Sequence, residues 1–300
     1  MSFNDKASLD TSQVTGGGKG AAVAGGGVGG VILLLVYLFL GGGGSGGSGS
    51  LPFDPSQVLQ GGTSGETVDV SECQTGADAN RSDVCRIVGT VNSVQDYWDG
   101  ALSSETGQPY REAKTVIFSG TTPSACGTAT ASVGPFYCPA DEQVYIDAAF
   151  FDELTSRFGA DGGNLAQMYV VAHEYGHHVE NILGDLAAGQ QDTSTGPTSA
   201  GVRIELKADC LAGVWAHHAA TTEDENGVTL IEPLSKSDVQ SALSAAAAVG
   251  DDHIQSELGG GTVNPDSWTH GSSEQRQRWF LAGYESGSVD ACDTFGTNDL

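Results

Sequence analysis

Between residues 164 and 184 the chain reads His173-Glu174-Tyr175-Gly176-His177, two histidines four apart with a glutamate directly after the first. In a helix of 3.6 residues per turn His173 and His177 stack on one face, where both imidazoles can meet one Zn²⁺. Glu174 then lies beside them and can act as general base toward a zinc-activated water. Catalytic zinc takes three protein ligands and keeps one position open, so a third must be found. An HExxHxxGxxH continuation is excluded, because Glu180 and Leu183 stand where glycine and histidine would be required. The other source is a glutamate from a following helix. Glu205-Leu206-Lys207-Ala208-Asp209 places two acids four apart, amid the apolar residues Val202, Ile204, Leu211, Val214 and Trp215. Glu205 is the expected third ligand, and Asp209 is expected to accept the N–H of a ligand histidine and fix its tautomer. Acids at this spacing on an acidic chain are ordinarily a solvated face; the apolar neighbours argue for burial here.

Hydroxide attack on a peptide carbonyl creates negative charge that needs a donor besides zinc. His270, in Trp268-Thr269-His270-Gly271-Ser272, is the candidate, with a structural or helix-capping histidine as its alternative. Tyr175 is a second candidate, whereas His178, His217 and His218 read as surface or packing residues.

These side chains need helices to present them. Asn164, after Gly162 and Gly163, reads as an N-cap and Gly184 as a C-cap. Val202–Ala220, Ser237–Val249 and Ser273–Tyr284 read as later helices, with a polar loop over Gly189–Gly201. Upstream, Val91, Val94, Tyr97, Trp98 and Leu102 recur at three- and four-residue steps and predict a helix over Ile87–Leu102. Lys114–Phe118 and Gln143–Asp147 predict short strands, with a stapled loop over Cys126–Cys138 between them. Val144–Asp147 is the expected sheet edge for an extended substrate backbone. Ala148–Phe158 reads as a helix ended by Gly159. Long helices with a few strands predict one α+β domain over residues 86–300, mainly helical with a small sheet.

Asp and Glu number 38 against 12 Lys and Arg, a formal net charge of −26, which argues against a nucleic-acid partner. Sixteen of the 44 glycines fall in the first fifty residues, where Ala21–Leu40 carries no charge and Val31–Leu40 is apolar throughout. Twenty helical residues at ~1.5 Å each span ~30 Å, so residues 21–40 are a predicted transmembrane helix, with a cleaved signal peptide as the alternative. Lys6 and Lys19 precede this run and no base follows until Arg81. The positive-inside rule then predicts a single-pass cell-membrane protein with residues 1–20 cytoplasmic and the following domain extracytoplasmic. Residues 41–85 read as a Gly/Ser-rich linker and polar lead-in. Six cysteines follow, Cys73, Cys85, Cys126, Cys138, Cys210 and Cys292, with no CxxC pair. An even set in an oxidising compartment reads as disulfides. Fifteen pairings are open; the two short loops make Cys73–Cys85 and Cys126–Cys138 the easiest closures, leaving Cys210–Cys292.

The segments HEYGHHVENILG, ELKADCLAGVWAHH, SACGTATASVGPFYCPADEQVYID, VGTVNSVQDYW and WTHGSSEQRQRWFLAGY together resemble the bacterial neutral zinc metallopeptidases. The resemblance covers nearly the whole chain and is most specific over residues 86–295. It implies a membrane-anchored, zincin-like (gluzincin-type) enzyme with His173, His177 and Glu205 as ligands of one catalytic Zn²⁺ and Glu174 as acid/base. The expected function is extracytoplasmic hydrolysis of a peptide or protein substrate. An alternative of another class is a non-catalytic envelope-binding or scaffold protein with a structural zinc, which would not need Glu174. An acidic Ca²⁺-binding module ranks last, since no DxDxDG-type loop is present.

Overall fold

Two of the apolar runs become strands because both of their faces are covered. The computed structural model describes residues 2–17, 68–189 and 191–300. In chain order it contains β1 (Val14–Gly16), α1 (Gly76–Ala79), α2 (Asp83–Thr106), β2 (Lys114–Phe118), β3 (Thr121–Ser124), β4 (Gly127–Thr130), β5 (Phe136–Cys138) and β6 (Gln143–Asp147). The second half is helical: α3 (Phe150–Ser156), α4 (Asn164–Leu183), α5 (Asp185–Gly189), α6 (Ala200–His218), α7 (Lys236–Ala248), α8 (Asp251–Glu257) and α9 (Ser273–Ser286). One sheet has the order β1-β2-β6-β5, and β3 and β4 form a separate hairpin. Strands β1, β2 and β6 are parallel, while β5 joins β6 antiparallel.

Alternate residues of β2 and β6 feed two cores. Ile117, Val144 and Ile146 enter the main core with α2, α4 and α6, whereas Val116, Phe118 and Tyr145 pack with Ala129, Phe136 and Cys138 under the hairpin. Burial on both sides explains why these strands read as nearly unbroken apolar runs rather than an alternation. The Cys126–Cys138 disulfide ties the hairpin to β5. Cys73–Cys85 and Cys210–Cys292 complete the set, and no cysteine is free. Strand β6 is interior, flanked by β2 and β5, so the reading of Val144–Asp147 as a sheet edge is corrected; the outer strand on that side is β5.

Three helices approach at backbone distance. A Cβ placed on Gly176 of α4 would lie 2.9 Å from the Cα and carbonyl oxygen of Ala208 on α6. One on Gly213 of α6 would lie 2.1 Å from the Phe280 carbonyl of α9, and one on Gly283 of α9 would lie 1.9 Å from the Cys210 carbonyl. Glycine is thus the residue that lets α4, α6 and α9 close on one another. Trp215 Nε1 donates to Ser93 Oγ at 3.1 Å and anchors α6 to α2.

The fold expected from sequence needs correction at its N-terminus. The architecture is mixed helical with small sheets, and among the described residues no helix is long and apolar enough to cross a membrane. Residues 21–40, expected as a transmembrane helix, lie outside the described residues. The segment before them, expected to be cytoplasmic, is part of the domain. Val14, Thr15 and Gly16 pair with Thr115, Val116 and Ile117. Phe3, Ala7 and Leu9 are buried, and the Phe3 ring sits where a Cβ on Gly89 would meet it at 2.6 Å. One membrane crossing between residues 17 and 68 would place β1 and β2 on opposite sides, yet they share a ladder. The single-pass placement, with a cytoplasmic N-terminus and an extracytoplasmic domain, is therefore corrected. Part of the lead-in also belongs to the core: Cys73 is buried, and Gly76 N donates to the Ala7 carbonyl at 2.9 Å.

Replacing Gly283 with alanine would improve helix propensity by ~1 kcal/mol. Overpacking against a rigid carbonyl costs about 1–3 kcal/mol and is expected to prevail. Thermal unfolding of Gly283→Ala should show a melting temperature lower by several degrees, since each kcal/mol moves a domain of this size by about 2–4 °C. An unchanged or raised value would refute the close-packing argument.

Candidate metal centre

Helix α4 begins after Gly163, whose extended backbone (φ −68°, ψ 146°) makes it the N-cap in place of Asn164. It ends at Gly184 in the left-handed region (φ 88°), the C-cap read from sequence. Within it the imidazoles of His173 and His177 lie 4.7 Å apart, centroid to centroid. Their Nε2 atoms converge on one carboxylate: His173 Nε2 is 3.2 Å from Glu205 Oε2, and His177 Nε2 is 3.6 Å from Glu205 Oε1. One ligand atom from each of the three residues lies within 4.8 Å of the others. Tetrahedral zinc with bonds of ~2.0–2.1 Å keeps its ligands about 3.3–3.4 Å apart. Two nitrogens and a carboxylate oxygen at these spacings fit zinc in number, chemistry and distance.

The outer nitrogens are held as carefully as the inner ones. His173 Nδ1 is 2.8 Å from Asp209 Oδ1, and His177 Nδ1 is 2.7 Å from Glu180 Oε2. Each carboxylate fixes the proton on Nδ1 and leaves the Nε2 lone pair for a metal. Asp209 is itself clamped: Arg276 donates from Nε to Oδ2 at 2.8 Å and from Nη2 to Oδ1 at 3.0 Å, and the Tyr169 hydroxyl also donates to it.

Opposite charges couple the groups of the centre. Burial works against the His173 charge, but Asp209 and Glu205 overcome it and push its pKa up to about 10. Burial lowers His177. Glu205 is held below the usual carboxylate range, because the raising effect of burial is outweighed by His177, His270 and His173. Asp209 is also lowered: burial opposes its charge, but Arg276 and His173 prevail.

Glu174 lies in the same cleft, buried, with Oε2 lacking any hydrogen-bond partner. Burial raises its pKa against the opposing pull of His173 and His177. His270 joins from the loop before α9. Asp251 Oδ2 accepts the amides of Thr269, His270 and Gly271 at 2.7, 2.7 and 3.0 Å, and Asp251 Oδ1 faces His270 Nδ1 at 3.2 Å. His173, Glu174, His177, Glu205, His270 and Arg276 all line one cavity of about 280 Å³. A second cavity, about 410 Å³ among Arg278, Trp279, Asp293 and Asp299, contains none of them.

Other sequence candidates lie elsewhere. The Tyr175 hydroxyl is 2.9 Å from Thr115 Oγ1 on β2, so it braces α4 against the sheet and faces away from the cleft. His178 is fully buried between the Tyr137 hydroxyl and the Arg111 carbonyl, a packing role. His217 and His218 meet the carbonyls of Tyr284 and Gly287 near the end of α9. Sequence reasoning missed Glu180, Tyr169, Asp251 and Arg276. Glu180 was within reach of a spacing argument, being three residues after His177 on the same helix.

A helix-borne His-Glu-x-x-His with a buried glutamate on a second helix, each histidine backed by a carboxylate, defines a zinc-hydrolase type of centre. The chain matches the family described as "Putative neutral zinc metallopeptidase" over residues 2–295, and it belongs to that family. It is 52% identical over 233 residues to the uncharacterized protein Rv2575 of Mycobacterium tuberculosis, covering 77% of each chain. It is 39% identical over 243 residues to the uncharacterized protein YpfJ of Escherichia coli, covering 79% of this chain and 80% of that one. No solved structure matches the chain.

Removing an outer carboxylate should loosen the metal without removing a ligand. Asp209→Asn and Glu180→Gln are each expected to weaken Zn²⁺ affinity about 10–100-fold in competition titrations with a chromophoric chelator. Wild-type affinity in either variant would show that the carboxylate does not orient its histidine.

Proposed function

We propose that the chain is a zinc-dependent peptidase whose own side chains move the protons of amide hydrolysis. The observation that carries this reading is Glu174 Oε2, buried and unpartnered beside three converging ligand atoms. A structural zinc needs only its ligands, and burying a spare carboxylate is costly, so the scaffold reading leaves Glu174 without a purpose. Zinc held by His173, His177 and Glu205 would supply a Lewis acid that lowers the pKa of a coordinated water and polarises a carbonyl oxygen.

Glu174 Oε2 takes the proton of the attacking water and later delivers it to the departing amide nitrogen. Its upward shift by burial suits a group that must both accept and return a proton. His270, held at Nδ1 by Asp251, keeps Nε2 for the cleft and donates to negative charge developing on the carbonyl oxygen. Burial opposes its charge, but Glu205 and Asp251 raise its pKa above the usual imidazole value and favour the donor form. Strand β5 is an outer strand of its sheet, and Gly134 and Pro135 just before it line the cleft. An extended substrate segment adds to that edge.

Metal analysis combined with digestion of a broad peptide library tests the proposal. Wild type is expected to bind zinc and cut, and Glu174→Gln to keep zinc while losing about 10²–10⁴-fold in rate. Zinc binding with no cleavage by either protein, or equal cleavage by both, would overturn it.

The pH profile offers a second check. Activity should fall on the acid side as Glu174, raised above the ordinary carboxylate value, takes up a proton. It should fall on the alkaline side as His270, raised above the ordinary imidazole value, loses one. His270→Asn is expected to remove the alkaline limb and lower kcat by about 10²–10³-fold. An unaltered alkaline limb in that variant would rule His270 out as the donor.

A further inference from the structure

One arm of the cleft holds none of the groups assigned to chemistry. This arm is the apolar part of the lining, Val133, Phe150, Phe158, Val170, Ile254 and Leu258, drawn from α4, α3, α8 and the segments beside them. Val170 precedes His173 and Glu174 by three and four residues on one helix, so the apolar wall starts directly beside the reacting groups. His253 Nε2 meets the Phe158 carbonyl at 2.8 Å and ties α8 to the segment after α3. Leu258, which lines it, is 39% exposed. The whole cleft of about 280 Å³ is at the small end for ligand pockets, a size suited to a peptide unit and one side chain.

The charged residues lining the cavity outside the metal centre already have partners. Glu153 and Arg157 face each other at 3.6 Å, and the Arg157 guanidinium lies 5.7 Å from the centroid of the Phe158 ring. Asp251 is engaged by three backbone amides, and Arg276 by Asp209. A charged substrate side chain placed among these apolar groups would lose its water, and the half-exposed charges of Glu153 and Arg157 largely offset one another, which makes entry costly. An apolar side chain would exchange water for ring and methyl contacts, which is favourable. We propose that this arm is the specificity subsite and that it takes a large apolar side chain, of leucine or phenylalanine type, from a residue flanking the bond that is cut. The inference rests on the peptidase reading above.

The test uses zinc-loaded full-length protein and peptides identical except at the two residues flanking one bond, which carry Ala, Ser, Leu, Phe, Asp or Lys. Cleavage positions are mapped by mass spectrometry. Leu or Phe at one of the two positions is expected to raise kcat/KM roughly 30–100-fold over Ala, with Asp and Lys below Ala. Binding of the same peptides to Glu174→Gln, followed by fluorescence anisotropy, should give the same order. Leu258→Glu alters an exposed lining residue, and Ile254→Phe fills the arm. At least one is expected to reduce the Leu/Ala ratio about fivefold or more while cleavage of the Ala peptide persists. Glu174-dependent cleavage that ignores the flanking residue or prefers a charged one, or an unchanged ratio in both variants, overturns the subsite and leaves the peptidase reading intact. No Glu174-dependent cleavage of any peptide overturns both.

Discussion

The distance between α4 and α6 governs everything at the centre. Gly176 lies inside the His-Glu-x-x-His segment and faces the Ala208 backbone with no room for a Cβ at ordinary contact distance. Because the helices meet there, Glu205 and Asp209, on either side of Ala208, reach the two nitrogens of a single imidazole, His173. One carboxylate stands at the metal-facing nitrogen and the other behind it. Moving the helices apart by one methyl group would separate both contacts at once, so a residue with no chemistry of its own sets the geometry of those that have it. The same device recurs on the other face of α6, where Gly213 and Gly283 let α9 bring Arg276 to Asp209.

Charge is the second organising constraint. Asp209 is matched by Arg276, and its contact with His173 is therefore nearly neutral toward the rest of the centre. Glu180 is fully buried behind His177, has one oxygen without a hydrogen-bond partner, and burial drives its pKa well above the usual carboxylate value. Glu205 and Glu180 thus leave a surplus of negative charge that only a cation or added protons can meet. The protonated state favoured at His173 is one such answer, and a dication is a better one, because it satisfies both histidines and Glu205 together.

Much of the centre was legible in the sequence because its parts are local. Helical periodicity places His173 beside His177, and the apolar setting of Glu205 and Asp209 signals burial. The strands Lys114–Phe118 and Gln143–Asp147 occur with the limits read from their composition. Their order was not legible, since nothing in Gln143–Asp147 tells that a three-residue strand, Phe136–Cys138, covers its open side. Arg276 escaped for a similar reason: it is 67 residues from Asp209, and its partner is set by tertiary packing alone. The N-terminal segment misled because charge and hydropathy speak to partition between water and lipid and are silent about strand pairing. Val14–Gly16 is too short to carry a periodic signal, yet its ladder with β2 decides which side of the domain it occupies.

That ladder also bears on the order of assembly during synthesis. Strand β1 precedes the other described strands, and its partner among the described residues, Lys114–Phe118, emerges about a hundred residues later. At ~5–20 residues per second β1 waits ~5–20 s for its neighbour. Closing so long a loop is entropically slow compared with forming the helices that follow. Strand β1 is therefore late to find its native place, and until then the free edge of β2 stays open to any other strand within reach.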